Sequence, residues 1–421
     1  MRKLIRVFAT VSILIFAIVV VMGCSKTSRG TAASETKKIA VWHYFGETEA
    51  KALDLLAKEY MQAHEGIEVN VTMMSREELM TQYNVGAASG QLPDIGMVDS
   101  PDHASFIALG VYADITDGLK AWGQLDQFYP GPLSSCTDAA GRIYGLPNNS
   151  NCLALLCNMD MLDAKGIKKP TTWQEFEEAC KLLTNPAEQI YGFAMSAISN
   201  EEGTFQFIPW LYSAGGSVAN LGSPECIHAM EFLAGLVQKG YMSKEAVNWS
   251  QGDAMNAFKA QKAAMVESGT WQIIYDLPDI KNFRFEYTLL PKDKKYASVI
   301  GGENFGVCST TKYKDVCVDF LTFMETAENV ARWCEMGGKL PVRQDSSKLR
   351  AFWTEDPLFA VFTEGMKYAV ARGPHPEWPT ISKAIYTAGQ TVLLGEQTSA
   401  DAMKAAAATL APIYAKEPIA Q

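Results

Sequence analysis

Four tryptophans, Trp42, Trp210, Trp271 and Trp378, each sit at the end of an apolar segment or beside glycine or proline, outside any helical stripe. The stretch "ESGTWQ", residues 267–272, is the clearest case: a small-residue loop that then presents an indole. A flat aromatic face stacks on the apolar C–H face of a sugar ring, while neighbouring amides and carboxylates take the hydroxyls. The plainer alternative, a tryptophan plugging the edge of a core, stays open for each of the four. Trp173 opens a helix and is read as packing.

Covalent chemistry has weaker support. The chain has no HExxH, no Walker A loop and no GxGxxG after a strand. "GGSVA", residues 215–219, has the skeleton of a serine elbow but ends in alanine without a clear strand before it, and reads as a glycine-rich loop. The five histidines, His43, His64, His103, His228 and His375, are scattered, and no two share a helix face at ligand spacing. Glycoside hydrolysis needs a pair of acids; the 47 acids supply candidates, but nothing marks one pair. No catalytic residue, metal ligand or cofactor is assigned.

The elements that must position these residues alternate. "KIAVWHYF" reads as a strand from Ile39, followed by a helix with Ala52, Leu55, Leu56 and Tyr60 on one face. "IEVNV" alternates with period two, and Ser75 to Glu78 forms a capping box opening the next helix. "PDIGMV" is a third strand, after which Ser100-Pro101 opens a short helix. A second region of the same kind has a strand from Cys152 to Cys157 and a helix whose capping box is Thr172 and Glu175. This alternation predicts an α/β fold of mainly parallel sheets covered on both faces. About 385 residues exceed what one core organises, so two domains are expected.

Nine cysteines include no CxxC pair and no zinc spacing. Cys152 and Cys157 fall on opposite faces of their strand and cannot bridge each other. Most of the nine read as small buried hydrophobes.

The N-terminus opens with Arg2, Lys3 and Arg6 and then an apolar run from Val7 to Met22, shorter than the roughly 20 residues of a membrane-spanning helix. It ends in small residues, as a secretory signal does. Val21-Met22-Gly23-Cys24 resembles a bacterial lipobox, with Cys24 the lipidated new N-terminus; the alternative is an uncleaved anchor. Either places the body outside the cytoplasm. Residues 1–23 are thus a signal peptide and residues 24–38 a polar tether. Cleavage leaves 34 basic against 47 acidic residues, a net of −13. Such a chain is a poor partner for nucleic acid.

Taken together, "GQLPDIGMVD", "YGLPNNSNCLALLCNMDML", "KPTTWQEFEEACKLL", "AFKAQKAAMVESGTW", "GGENFGV", "GGKLPVR" and "RGPHPEWPTISKAI" resemble, in order, the extracellular solute-binding proteins of ABC importers, of the maltose-binding type. The resemblance covers nearly the whole mature chain. It implies two lobes joined by a hinge: residues 39–147 plus 301–341, and residues 148–300 plus 342–421. The chain would cross between them near residues 147–151, near Ile300 and near residues 341–345.

A solute enclosed between the lobes is implied to meet Trp42, His43 and Tyr44 after the first strand, Asp99 and Ser100 after the third, and Asn151 in the crossing segment. The second lobe would add Phe205, Trp210 and the stacking Trp271. Gly302, Glu303 and Arg343 would sit near the hinge, Arg343 either as a ligand contact or as a hinge salt bridge, and Trp378 in the last cleft helix. The implied protein is a non-enzymatic, lipid-anchored monomer that carries a sugar or small oligosaccharide to the transmembrane subunits of an ABC permease. The rival readings are a glycerophosphodiester or other polar solute in the same role, and a lipoprotein glycoside hydrolase.

Overall fold

A computed structural model of the chain describes residues 36–419. The signal, Cys24 and the tether up to residue 35 lie outside the described residues. The tether reading ran two residues too far. Lys37 and Lys38 already pair with Ile67 and Glu68, and the Lys38 ammonium lies 2.7 Å from the Glu68 carboxylate.

The described strands follow in the order β1 (Lys37–His43), β2 (Ile67–Met73), β3 (Ile95–Asp99), β4 (Gly145–Pro147), β5 (Leu153–Asn158), β6 (Tyr191–Ala194), β7 (Ala263–Gly269), β8 (Phe285–Thr288), β9 (Ser298–Val299), β10 (Glu303–Val307) and β11 (Ala369–Val370). One sheet has the order β2-β1-β3-β10-β4, a second β6-β7-β5-β8, and β11 pairs with β9. The alternating pattern thus folds into a two-lobe α/β architecture, with helices covering the sheets.

The expectation of mainly parallel sheets is corrected. In the first sheet β1 runs parallel to β2 and β3, but β10 runs antiparallel to both β3 and β4. In the second, β5 runs antiparallel to β7 and β8, and only β6–β7 is parallel. The cause is connectivity. β10 enters the first sheet from a crossing segment and β4 leaves it into one, rather than belonging to right-handed βαβ units, so helix–strand alternation says nothing of their direction.

Local signals set the helices. Ser75 Oγ accepts the Glu78 N–H at the start of the helix Arg76–Ser89. Thr172 and Glu175 close a full capping box on the helix Trp173–Leu183. Trp173 is buried there, its indole N–H donating to the Pro291 carbonyl at 3.1 Å.

Both faces of the second sheet are buried, and β5 divides its side chains between two cores by strict alternation. Leu153, Leu155 and Cys157 join Trp173, Phe176, Phe193 and Trp210 on one face. Cys152, Ala154 and Leu156 join Phe258, Val266 and Phe362 on the other. All eight described cysteines are free and buried.

Three segments connect the sheets side by side. Ser150 and Leu340 exchange two backbone hydrogen bonds at 2.8 Å, and Asn151 and Gly301 exchange two at 2.9 Å. Gly302 makes this approach possible. Its φ of 138° suits glycine, and a Cβ there would lie 2.1 Å from the Asn149 carbonyl oxygen.

Candidate functional site

Where the strands of the two sheets end beside the crossing segments, a cavity of about 360 Å³ opens. The parallel strands β1 and β3 deliver Tyr44 and Asp99 from their carboxyl ends, and β10, running the other way, delivers Glu303 opposite Asp99. β7 delivers Trp271 just beyond its end, and the crossing segments give Asn151, Gly301 and Gly302. Phe205 faces the cavity from the helix Glu201–Ser213. Seven residues picked out in the sequence are thereby brought to one cavity: Tyr44, Asp99, Asn151, Phe205, Trp271, Gly302 and Glu303.

Trp271 owes its position to the glycine before it. Its ring lies back over Gly269, where a Cβ would come within 2.0 Å of the indole. Its centroid lies 6.3 Å from that of Phe205. Two aromatic faces therefore border a polar cavity.

The other six are held elsewhere. Trp42 does not line the cavity; it packs beside the core of Leu79, Tyr83 and Phe106 and stacks on Tyr83 at 6.4 Å. His43 is buried, its Nδ1 accepting the Phe45 N–H at 3.1 Å; burial lowers its pKa despite Asp54 and Glu49. The Ser100 N–H bonds the Gly302 carbonyl, and its side chain faces a separate crevice of only about 20 Å³. Trp210 lies in the aromatic core, donating to the buried Glu267 carboxylate at 3.0 Å. Trp378 is buried too and donates to Glu201 at 3.1 Å. Arg343 braces the crossing region: it bonds Asp345, the Gln124 amide and the Glu325 carbonyl, with its guanidinium over Trp122 and Phe128. None of these six lines the cavity.

The cations at the cavity, and the acids other than Asp99 and Glu303, were missed from sequence. Arg372, 6 % exposed, grips both Asp99 oxygens at 2.7 and 3.0 Å and the Glu201 carboxylate at 2.7 Å. Its guanidinium also lies 4.4 Å from the Phe205 ring centroid. The second Glu201 oxygen accepts from Trp378 and Ser382. Lys339 is buried between Glu49, at 3.1 Å, and Glu303, at 3.8 Å. Arg76 pairs with Asp102.

Burial raises the pKa of Glu303 against the pull of Lys339, and that of Glu201 against Arg372. Asp102 is pushed to about 7 by burial, with Arg76 opposing. No local signal in the sequence joins these residues.

A family model described as bacterial extracellular solute-binding protein matches residues 56–361. The chain belongs to this family. A crystal structure of an ABC transporter solute-binding protein from Thermotoga lettingae, bound with α-D-tagatose, superposes with a TM-score of 0.81 at 28 % identity. The match covers 90 % of this chain and 99 % of that one. A lactose-binding protein of Rhizobium radiobacter is 22 % identical over 69 % of this chain and 71 % of its own. The sn-glycerol-3-phosphate-binding periplasmic protein UgpB of Salmonella paratyphi A is also 22 % identical, over 78 % and 80 %.

In this solute-binding protein Glu325 carries a measurable consequence of the Arg343 brace. Its carboxylate is 1 % exposed, accepts from Asn148 at 3.1 Å with one oxygen, and leaves the other without a partner. Burial lifts its pKa from an ordinary 4.5 to about 8, with Asn148 and Arg343 opposing. The folded pKa lies above the unfolded one. The stability it contributes is therefore complete below pH 4.5 and lost as pH rises through about 8. Glu325→Gln should reduce the fall in unfolding free energy between pH 5 and 8 by on the order of 2–4 kcal/mol. Urea titrations of both proteins at the two pH values measure it; parallel pH profiles would contradict the assignment.

Proposed function

We propose that this protein is a lipid-anchored extracytoplasmic receptor that binds a sugar or small oligosaccharide in the cavity and delivers it to an ABC permease. The observation that carries the reading is the pairing of Trp271 and Phe205 with a polar wall in which every lining cation already has a carboxylate partner. Aromatic faces and hydrogen-bonding side chains suit a hydroxylated ring. A glycerophosphodiester would need a free arginine or lysine. The cavity's three cations are committed to Asp102, to Glu49 and Glu303, and to Asp99 and Glu201. The tagatose bound by the Thermotoga protein and the lactose for which the Rhizobium relative is named support a sugar, and the sn-glycerol-3-phosphate of UgpB supports the phosphorylated alternative.

Tyr44, Asp99, Asn151, Phe205, Trp271, Gly302 and Glu303 are the proposed binding residues. The lobes are residues 39–147 plus 301–341, and residues 148–300 plus 342–421, hinged where the three segments cross. Closure about such a hinge excludes water from the solute. The lipid on Cys24 keeps the receptor near its permease.

Trp271→Ala should weaken sugar binding by about 1–3 kcal/mol with the fold intact, as for a buried aromatic contact; unchanged affinity by calorimetry would refute the stacking role. Cys24→Ser should move the protein from the membrane to the soluble fraction of its host. Retention in the membrane would favour the uncleaved anchor.

A further inference from the structure

The charge balance of the cavity bears on the kind of sugar. Six carboxylates line it, those of Glu49, Glu77, Asp99, Glu201, Glu202 and Glu303, against Arg76, Lys339 and Arg372. With each cation already paired, Glu77 and Glu202 are left without an ion-pair partner among the described residues. They stand in the first turns of the helices Arg76–Ser89 and Glu201–Ser213, which favour negative charge. Glu202 takes one hydrogen bond, from the Gln251 N–H to Oε2 at 2.8 Å, and Glu77 is exposed.

A second observation concerns hydrogen bonding. Asn151, 4 % exposed, has no partner for its Oδ1, and neither has Glu303 Oε2, which stands 3.8 Å from the Lys339 ammonium. Both unmet atoms at the cavity are acceptors. A complementary solute brings donors.

Resting on the sugar-receptor reading, we propose that the preferred ligand is a sugar bearing a protonated amine. Its hydroxyls donate to Asn151 and Glu303, its ammonium lies between Glu77 and Glu202, and sugar acids and sugar phosphates are excluded. An ammonium offers three donors and no acceptor. A phosphate or uronate would meet surplus negative charge and could reach a cation only by breaking an existing pair.

Burial holds the Glu202 carboxyl above its ordinary pKa; Glu77 and Asp253 add to this, and the Gln251 N–H and Arg76 oppose it. The nearby Asp99, Asp102, Glu201 and Arg372 complete the charged surroundings. A bound ammonium favours the charged carboxylate, so affinity for the amine falls as acid protonates Glu202.

The test is calorimetry on the detergent-solubilised full chain with glucose, galactose and mannose, each as the neutral sugar, the 2-amino-2-deoxy sugar, the uronate and the 6-phosphate. On any scaffold that binds, the amine should bind about 10-fold tighter than the neutral sugar. Glu202→Gln, or Glu77→Gln at the exposed position, should bring that ratio towards one. A uronate or phosphate binding as tightly as the neutral sugar, or an amine with no advantage, overturns the preference while leaving a sugar receptor. An amine advantage that survives both variants overturns the placement of the ammonium. Binding by no member of the panel removes the sugar reading and this one together.

Discussion

A guanidinium taken out of water must have its charge answered inside the fold, and Arg372 is the point at which this protein meets that requirement. Its partners are the end of β3, the first turn of the helix Glu201–Ser213 and the Ile300 carbonyl in a crossing segment. Removing either carboxylate would leave a buried cation short of a partner. Both walls of the cavity are thereby held to one side chain. Phe205 lies under the same guanidinium, so the aromatic wall and the ion pairs share one geometry.

Lys339 does the same on the neighbouring side, between Glu49 and Glu303, and its ammonium lies 5.7 Å from the Trp271 ring centroid. Two cations thus set the aromatic faces and pair with four of the six lining acids, Glu49, Glu303, Asp99 and Glu201, with none to spare for an anionic solute. The backbone pairing at Ser150–Leu340 and Asn151–Gly301 supplies the other condition, a narrow set of connections that holds the crossing segments side by side at the cavity.

The sequence showed most plainly what is settled locally. Capping at Ser75 and Thr172, period two in β2 and the burial of Trp173 depend on residues within one element. Strand direction in β5 and β10 was not legible, because it follows from where the crossing segments enter the sheets. The tryptophans divide by what their N–H finds. Trp210 and Trp378 meet Glu267 and Glu201, partners 57 and 177 residues away, and become core; Trp271 lies on a glycine and borders the cavity. The Arg372–Asp99 pair spans 273 residues, a separation over which composition and spacing carry no signal.

The decisive measurement is thermal unfolding of the full chain, stripped of bound solute by dialysis from denaturant and refolded, against sugars of increasing length and glycerophosphodiesters. A ligand that binds only the folded state must raise the unfolding temperature with concentration. A concentration-dependent rise with a sugar, and none with glycerophosphodiesters, is the predicted result. A rise with glycerophosphodiesters alone would contradict it, because it would require a cation that the cavity does not leave free.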